Sequence, residues 1–410
     1  MSTPTIGDSS ELPLLPLKRD ARCPLHPPAA FARWRESQGL QRASWRGEPV
    51  WVISRYQDIR AALTDPRVSA DVHTFNEQPV GENMPLIFPR MDDPEHNRLR
   101  RMMTKDFTAR RADAMRPFIQ ETVDGFLDAM VTKGPPADLV RDFALPLPSL
   151  VICELLGVPY EDHEFFEEKS AKSLDASASA EEQGAAGAEL LGYLSELVDR
   201  KAREPGDDLL SRLVTDHVAT GALNHATATM NALIMLSAGH ETTASMIALG
   251  TAALLEHPDA WNRLRDNDDP TFAANVVEEL MRYLTVVHSL VDRVALEDLT
   301  IGGQLIRAGE IMLVNLPAGN WDPDFADGPE NFDIGRNTRG HLGFGYGVHQ
   351  CLGQNLARAE MQIAFTTLAR RLPGLRLTVA PGELKYHNEK EIYGIGELPV
   401  TWYKTKRENK

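Results

Sequence analysis

Between Ala226 and Leu255 the chain is mostly apolar over a length sufficient to span a bilayer, and no other stretch constrains the fold as tightly. A membrane helix carries lysines or arginines at its flanks and avoids charge at its centre. Here the immediate flanks lack them, and His225, His240 and Glu241 bound or interrupt the run. The run therefore predicts a long helix buried within protein, with other helices packed around it. A chain of 410 residues, 42% of them hydrophobic, can enclose such a helix, either as two domains or as one unusually large α-rich domain. The middle of the helix, Ala238-Gly239-His240-Glu241-Thr242-Thr243, is then polar where burial is deepest. A buried glutamate costs free energy unless it is paired or hydrated, so this segment is a candidate functional site.

A second segment carries more chemistry. Phe344-Gly345-Tyr346-Gly347-Val348-His349-Gln350-Cys351-Leu352-Gly353 sets one cysteine in a glycine-rich loop, and the periodicity from Leu352 to Leu372 predicts a helix straight after it. Gly345 and Gly347 permit backbone conformations closed to other residues, so the loop can fold closely around the sulfur and turn N–H groups toward it. Those bonds and the helix N-terminus both favour a thiolate that binds a metal. Zinc is improbable, because His349 is the one further Cys or His at short spacing. The segment resembles the haem-binding loop of the cytochrome P-450 family and matches Phe-x-x-Gly-x-His-x-Cys-x-Gly at every fixed position.

That resemblance, which extends from about Pro27 to about Val400, implies a mainly α fold with small β-sheets. It also implies a b-type haem (heme b, iron protoporphyrin IX) with Cys351 as iron ligand, the loop residues Phe344, Gly345, His349 and Gly353 lying around it. The middle of the apolar helix resembles the family's Ala/Gly-Gly-x-Asp/Glu-Thr pattern. Ala238 and Gly239 are then small where the helix passes bound dioxygen, and Glu241 with Thr242 forms the acid–alcohol pair that delivers protons in a pocket closed to bulk water. Thr242 has another role open to it, a hydroxyl bonded back to the carbonyl four residues earlier; the two are compatible. The resemblance assigns the propionate partners to His96 and Arg100, i,i+4 on a helix opened by Asp93-Pro94-Glu95, together with Arg293 and His349. Glu279 and Arg282, three apart on one helical face, would join Arg336 in a structural lock ahead of the haem loop. At Trp321 the chain departs from the family, which often has arginine there. By family position the substrate pocket draws on Leu86, Ile87 and Phe88, on Val286, Val287, His288 and Leu290, and on Ile392 and Tyr393.

The charge balance, 43 basic against 59 acidic residues for a net −16, argues against nucleic acid or an anionic membrane as partner. Residues Arg98, Arg100, Arg101, Lys105, Arg110, Arg111 and Arg116 form a local exception, with Asp106 and Asp113 among them. Cys23, Cys153 and Cys351 lie too far apart to suggest a disulfide framework, and the first residues have neither a basic n-region nor a long apolar one, so a cytoplasmic location is expected. The domain reading is an N-terminal extension over 1–26 and a single haem domain over 27–410. Strands are expected at Val50–Ser54 and within Arg293–Ile306 and Leu375–Trp402. A mobile connection between two helices is expected across the alanine- and glycine-rich stretch from Asp175 to Ala188.

Taken with the family resemblance, the expected activity is a haem-thiolate monooxygenase that inserts one oxygen atom from O2 into a C–H bond of a lipophilic small molecule. Electrons would come from a separate ferredoxin and ferredoxin reductase. A peroxide-driven enzyme and a nitric oxide reductase of the same fold are the enzymatic alternatives; a haem-binding sensor or carrier is the non-enzymatic one.

Overall fold

The protein is described here by a computed structural model over residues 12–72, 87–174 and 178–403. The chain divides into two compact units, one formed by Met1–Val80, Glu278–Cys351 and Tyr386–Tyr393, the other by Gly81–Val277, Leu352–Lys385 and Gly394–Lys410.

The first unit is built on a six-stranded sheet whose strands are hydrogen-bonded in the order Leu14–Leu15, Gln41–Trp45, Glu48–Ile53, Ile311–Val314, Asp292–Ala295, Val68–Ser69. Gln41–Trp45 and Glu48–Ile53 pair antiparallel with Trp45 opposite Glu48, so only Arg46 and Gly47 make the turn. Both have positive φ, 52° and 86°, the backbone that lets a two-residue hairpin follow the sheet's twist. Val50, Val52 and Ile53 bury against the core, fulfilling the strand expected there. A two-stranded hairpin, Leu299–Ile301 with Gln304–Ile306, completes this unit's sheets. The segment read as an N-terminal extension belongs to this unit from residue 12 onward. Arg19 is buried, donates to Leu25 O at 3.0 Å and Leu284 O at 3.2 Å, and lies 3.8 Å from the Tyr393 ring centroid.

The second unit is helical apart from a small three-stranded sheet of Arg376–Leu377, Pro399–Thr401 and Ala137–Asp138. Its central helix, His225–Glu256, is the one predicted from the apolar run. The Asn224 side chain caps its start by accepting from Thr227 N at 2.7 Å. Buried alanines and leucines along both faces explain its all-round apolar sequence. Among the described residues no helix is long and apolar enough to cross a membrane.

The helices His163–Leu174 and Ala180–Arg203 flank the low-complexity stretch. Ser179 and Glu182 form a reciprocal capping box that starts the second helix early, so Gly184 to Ala188 is helical and not part of a connection. Alanine's helix propensity outweighs the two glycines.

Candidate active site

In the first unit, four hydrogen bonds fix the chain as it approaches Cys351. Asn320 Oδ1 accepts from Leu342 N at 2.6 Å while its amide donates to Thr285 Oγ1 at 2.7 Å. Gly343 N donates to His341 Nδ1 at 3.0 Å, which leaves the proton on Nε2 to meet Glu278 Oε2 at 3.0 Å. A Cβ on Gly343 would stand 2.7 Å from Met281 O, so no side chain fits there. Gly345 and Gly347 then turn through φ of 71° and 75°, and at Gly347 a Cβ would meet Leu63 O at 2.5 Å. The Cys351 backbone N–H closes the loop on Phe344 O at 2.8 Å and leaves the residue exposed. Phe344 is buried, whereas His349 is half-buried in a single turn over Gly347–His349. The following helix runs Gln354–Arg371 with Gly353 as its N-cap.

The expected lock is present in the same unit. Glu279 accepts from Arg282 Nε and Nη2, both at 2.7 Å, and from Asp333 N at 2.9 Å, while Arg336 Nε lies 3.7 Å away. Arg282 also donates to Pro329 O at 2.8 Å and Asn320 O at 3.3 Å. Trp321 finds its place beside this lock: its indole donates to Tyr283 O at 2.9 Å, with the Tyr283 and His26 rings 5.3 and 4.8 Å from its own. Arg293 is buried in the strand Asp292–Ala295, one guanidinium nitrogen 2.7 Å from Asp292 O. Of the pocket residues assigned to this unit, Val286, His288, Ile392 and Tyr393 are core, and only Val287 and Leu290 retain appreciable surface. Tyr393 is held by its hydroxyl on Pro24 O at 2.8 Å.

In the second unit the centre of the long helix presents Ala238 exposed and Gly239, Glu241 and Thr242 half-buried, with His240 and Thr243 buried. The carboxylate is thus less enclosed than the sequence suggested, and the buried polar groups are its neighbours. Thr242 Oγ1 donates to Ala238 O at 2.7 Å, the back-bonded arrangement. Gly239 is small for a packing reason: a Cβ there would lie 3.2 Å from Ile152 Cδ1 on the helix Pro146–Leu156. His240 Nε2 meets Leu145 O at 3.1 Å, and burial lowers the ring's pKa.

His96 and Arg100 share a face of the helix Glu95–Thr104. Burial, opposed in part by a 3.4 Å contact from Asp93 and joined by the Arg100 charge, pulls the His96 pKa down. Phe88, a proposed pocket residue, is buried near His96, the ring centroids 6.3 Å apart; Ile87 is half-buried, and Leu86 lies outside the described residues. Among the described residues a Cβ on Gly353 would touch only Phe107, at 3.9 Å. The sequence reading passed over Glu360 on the helix Gln354–Arg371. Its carboxyl is buried, Oε2 has no hydrogen-bond partner among the described residues, and burial pushes its pKa up to about 8.

The basic cluster is partly neutralised. Arg98 pairs with Glu95 at 2.7 Å and Lys105 with Asp216 at 2.6 Å, while Arg111 bonds the Asp207 carbonyl at 3.3 Å. Arg101 and Arg110 are exposed, with no carboxylate partner among the described residues.

The donor set suits a porphyrin better than a bare ion. Among the described residues no group of three or more His, Cys, Asp or Glu could hold a metal. What remains is one exposed cysteine in a fixed loop, where a Cβ on Gly345 would meet nothing within 4 Å among the described residues beyond its chain neighbours.

A sequence profile of the cytochrome P-450 family matches residues 193–381. The cytochrome P-450 GfsF of Streptomyces halstedii is 46% identical over 407 residues, covering 97% of this chain and 98% of that protein. The vitamin D3 dihydroxylase of Streptomyces griseolus is 41% identical over 408 residues, with 98% and 99% covered. A crystal structure of a relative in complex with filipin I superposes with a TM-score of 0.88 at 41% identity, over 96% of this chain and all of that one.

Proposed function

Because this chain belongs to the cytochrome P-450 family, we propose for it the division of labour set out below. As a member it is a haem-iron monooxygenase of small molecules that draws on O2 and on redox partners. The observation that carries the assignment of roles is the exposed Cys351 at the end of a rigidly held glycine loop.

Bound b-type haem would supply dioxygen activation and the transfer of one oxygen atom to a substrate C–H bond. Cys351 would ligate its iron as thiolate, and His96, Arg100, Arg293 and His349 would partner the propionates. The exposed Ala238 methyl leaves room beside the helix where a larger side chain would intrude. Thr242 spends its hydrogen on Ala238 O, so its oxygen lone pairs stay available to accept a hydrogen bond from the oxygen being protonated. Half-buried Glu241 can then pass protons inward from solvent. Residues 27–410 act as one haem-binding module in this reading, with the exposed thiol suited to a reducing cytoplasm.

The substrate is a lipophilic molecule, a class supported by the filipin I and vitamin D3 named for the relatives. The electron donor is a ferredoxin with its reductase, attracted to the face bearing Arg101 and Arg110. The turn Lys105–Phe107, between them in sequence, is tied by Phe107 O to Asn355 Nδ2 at 3.0 Å, four residues beyond Cys351.

Two measurements test the assignment. The reduced carbon monoxide complex should show the red-shifted Soret band of thiolate ligation, and Cys351→His should abolish it; a shifted band in that variant removes Cys351 from its role. Filipin I or vitamin D3 should displace the sixth ligand and shift the haem spin state, and hydroxylated product should require both ferredoxin and reductase.

A further inference from the structure

The bond from His240 to Leu145 O ties the central helix to its neighbour one residue before Glu241, and no step above uses it. A carbonyl only accepts, so the proton sits on Nε2 and Nδ1 carries a lone pair. That lone pair is buried with no hydrogen-bond partner among the described residues. Leu145 joins a π-helical turn over Val140–Ala144 to the helix Pro146–Leu156. Such turns are rare and often stand at functional sites.

Gly239 makes the second contact. Its Cα faces Ile152 of that same helix so closely that a Cβ would lie 3.2 and 3.3 Å from two of its carbons. Consecutive residues of an α-helix are rotated by about 100°, so a directional bond at one and close packing at the next leave the helix no rotational freedom there. Glu241 and Thr242, both half-buried, follow at once along the same helix. A hydroxyl and a carboxylate that must meet a reacting atom tolerate only about 10–20° of misorientation.

We propose that His240 is a positioning residue: its Nε2–H bond to Leu145 O sets the rotation of the central helix and hence the aim of Glu241 and Thr242. The inference rests on the reading of those two residues as the proton-delivery pair. A ring that served packing alone would affect the yield of folded, haem-bound protein and not the use made of each electron.

The test supplies ferredoxin, reductase and NADPH, with vitamin D3 or filipin I as probe, whichever shifts the spin state further. Product formed per NADPH consumed is measured for wild type, His240→Phe, His240→Gln and Thr242→Ala. His240→Phe keeps the ring and loses the donor; it should lower this ratio several-fold while the carbon monoxide band and the probe's dissociation constant stay as in wild type. His240→Gln, whose amide can reach the carbonyl, should recover most of the loss. If His240→Phe does not fold with haem, His240→Met makes the same comparison. Wild-type coupling in the non-donor variant beside an uncoupled Thr242→Ala overturns the positioning role alone. Wild-type coupling in Thr242→Ala overturns the proton-delivery reading and this inference with it.

Discussion

Thr242 shows how one oxygen atom can serve both structure and chemistry, because donating to Ala238 O at 2.7 Å leaves its lone pairs unspent. Thr242→Ala should therefore leave the helix intact and divert electrons to hydrogen peroxide; peroxide release per NADPH equal to wild type would remove the hydroxyl from proton delivery. Glu360 is a residue-scale opposite, a buried carboxyl with one oxygen unpartnered among the described residues and no part in the proposed chemistry. Its pKa rises from 4.5 in the unfolded chain to about 8 in the fold. Between those values the unfolded chain releases the proton while the folded chain keeps it, so stability falls as pH rises through this window, by up to about 1.4 kcal/mol per pH unit, and levels off above it. Glu360→Gln should thus raise the melting temperature at pH 8 and change it little at pH 4.5; thermal melts at the two values decide. At this scale the sequence offers as candidates residues whose chemistry travels with a local pattern, such as Cys351 and Thr242. Asn320, His341 and His240 escaped because their partners, Leu342, Glu278 and Leu145, lie far away in sequence and only the fold brings them near. Gly239 was foreseen as small, but the atom that demands it belongs to Ile152.

Among the elements, the long helix was legible because apolar residues persist around its whole circumference, and its observed span differs from the expected one by a residue at each end. The connection from Asp175 to Ala188 was misjudged in extent, since composition alone hides a capping box that needs only Ser179 and Glu182 to form. The Glu279–Arg282 pair was read from three-residue spacing, yet spacing could not show that both side chains are wholly buried and that four backbone groups converge on them. Burial changes the energetics: removing one partner strands a charge, at a cost of about 3–5 kcal/mol. Arg282→Ala should accordingly lose most folded, haem-binding protein at growth temperature, whereas Arg282→Lys should retain part of it without the bidentate geometry. Denaturant melts of the two variants check this, and a stable Arg282→Ala would refute the lock.

For the molecule as a whole, charge has to be counted after folding. A net −16 repels an acidic protein at long range, while the arginines at 101 and 110 remain exposed and their sequence neighbours Arg98 and Lys105 are paired. Exposed charges act over a Debye length of about 8 Å at physiological ionic strength and alter association rate more than affinity. The rate of first electron transfer from ferredoxin should therefore fall with added salt, and Arg101→Glu with Arg110→Glu should lower it without changing the probe's dissociation constant; indifference to both would move the donor to another face. The buried Arg19 carries a further consequence, for biosynthesis. Two of its partners, Leu284 O and Asn388 Oδ1, lie 265 and 369 residues downstream. At a ribosomal pace of 5–20 residues per second the first of those lengths takes roughly 13–53 s and the second roughly 18–74 s to appear. The segment around Arg19 is thus translated well before Leu284 and Asn388, and until they appear the groups they accept from must be satisfied by water or by another partner.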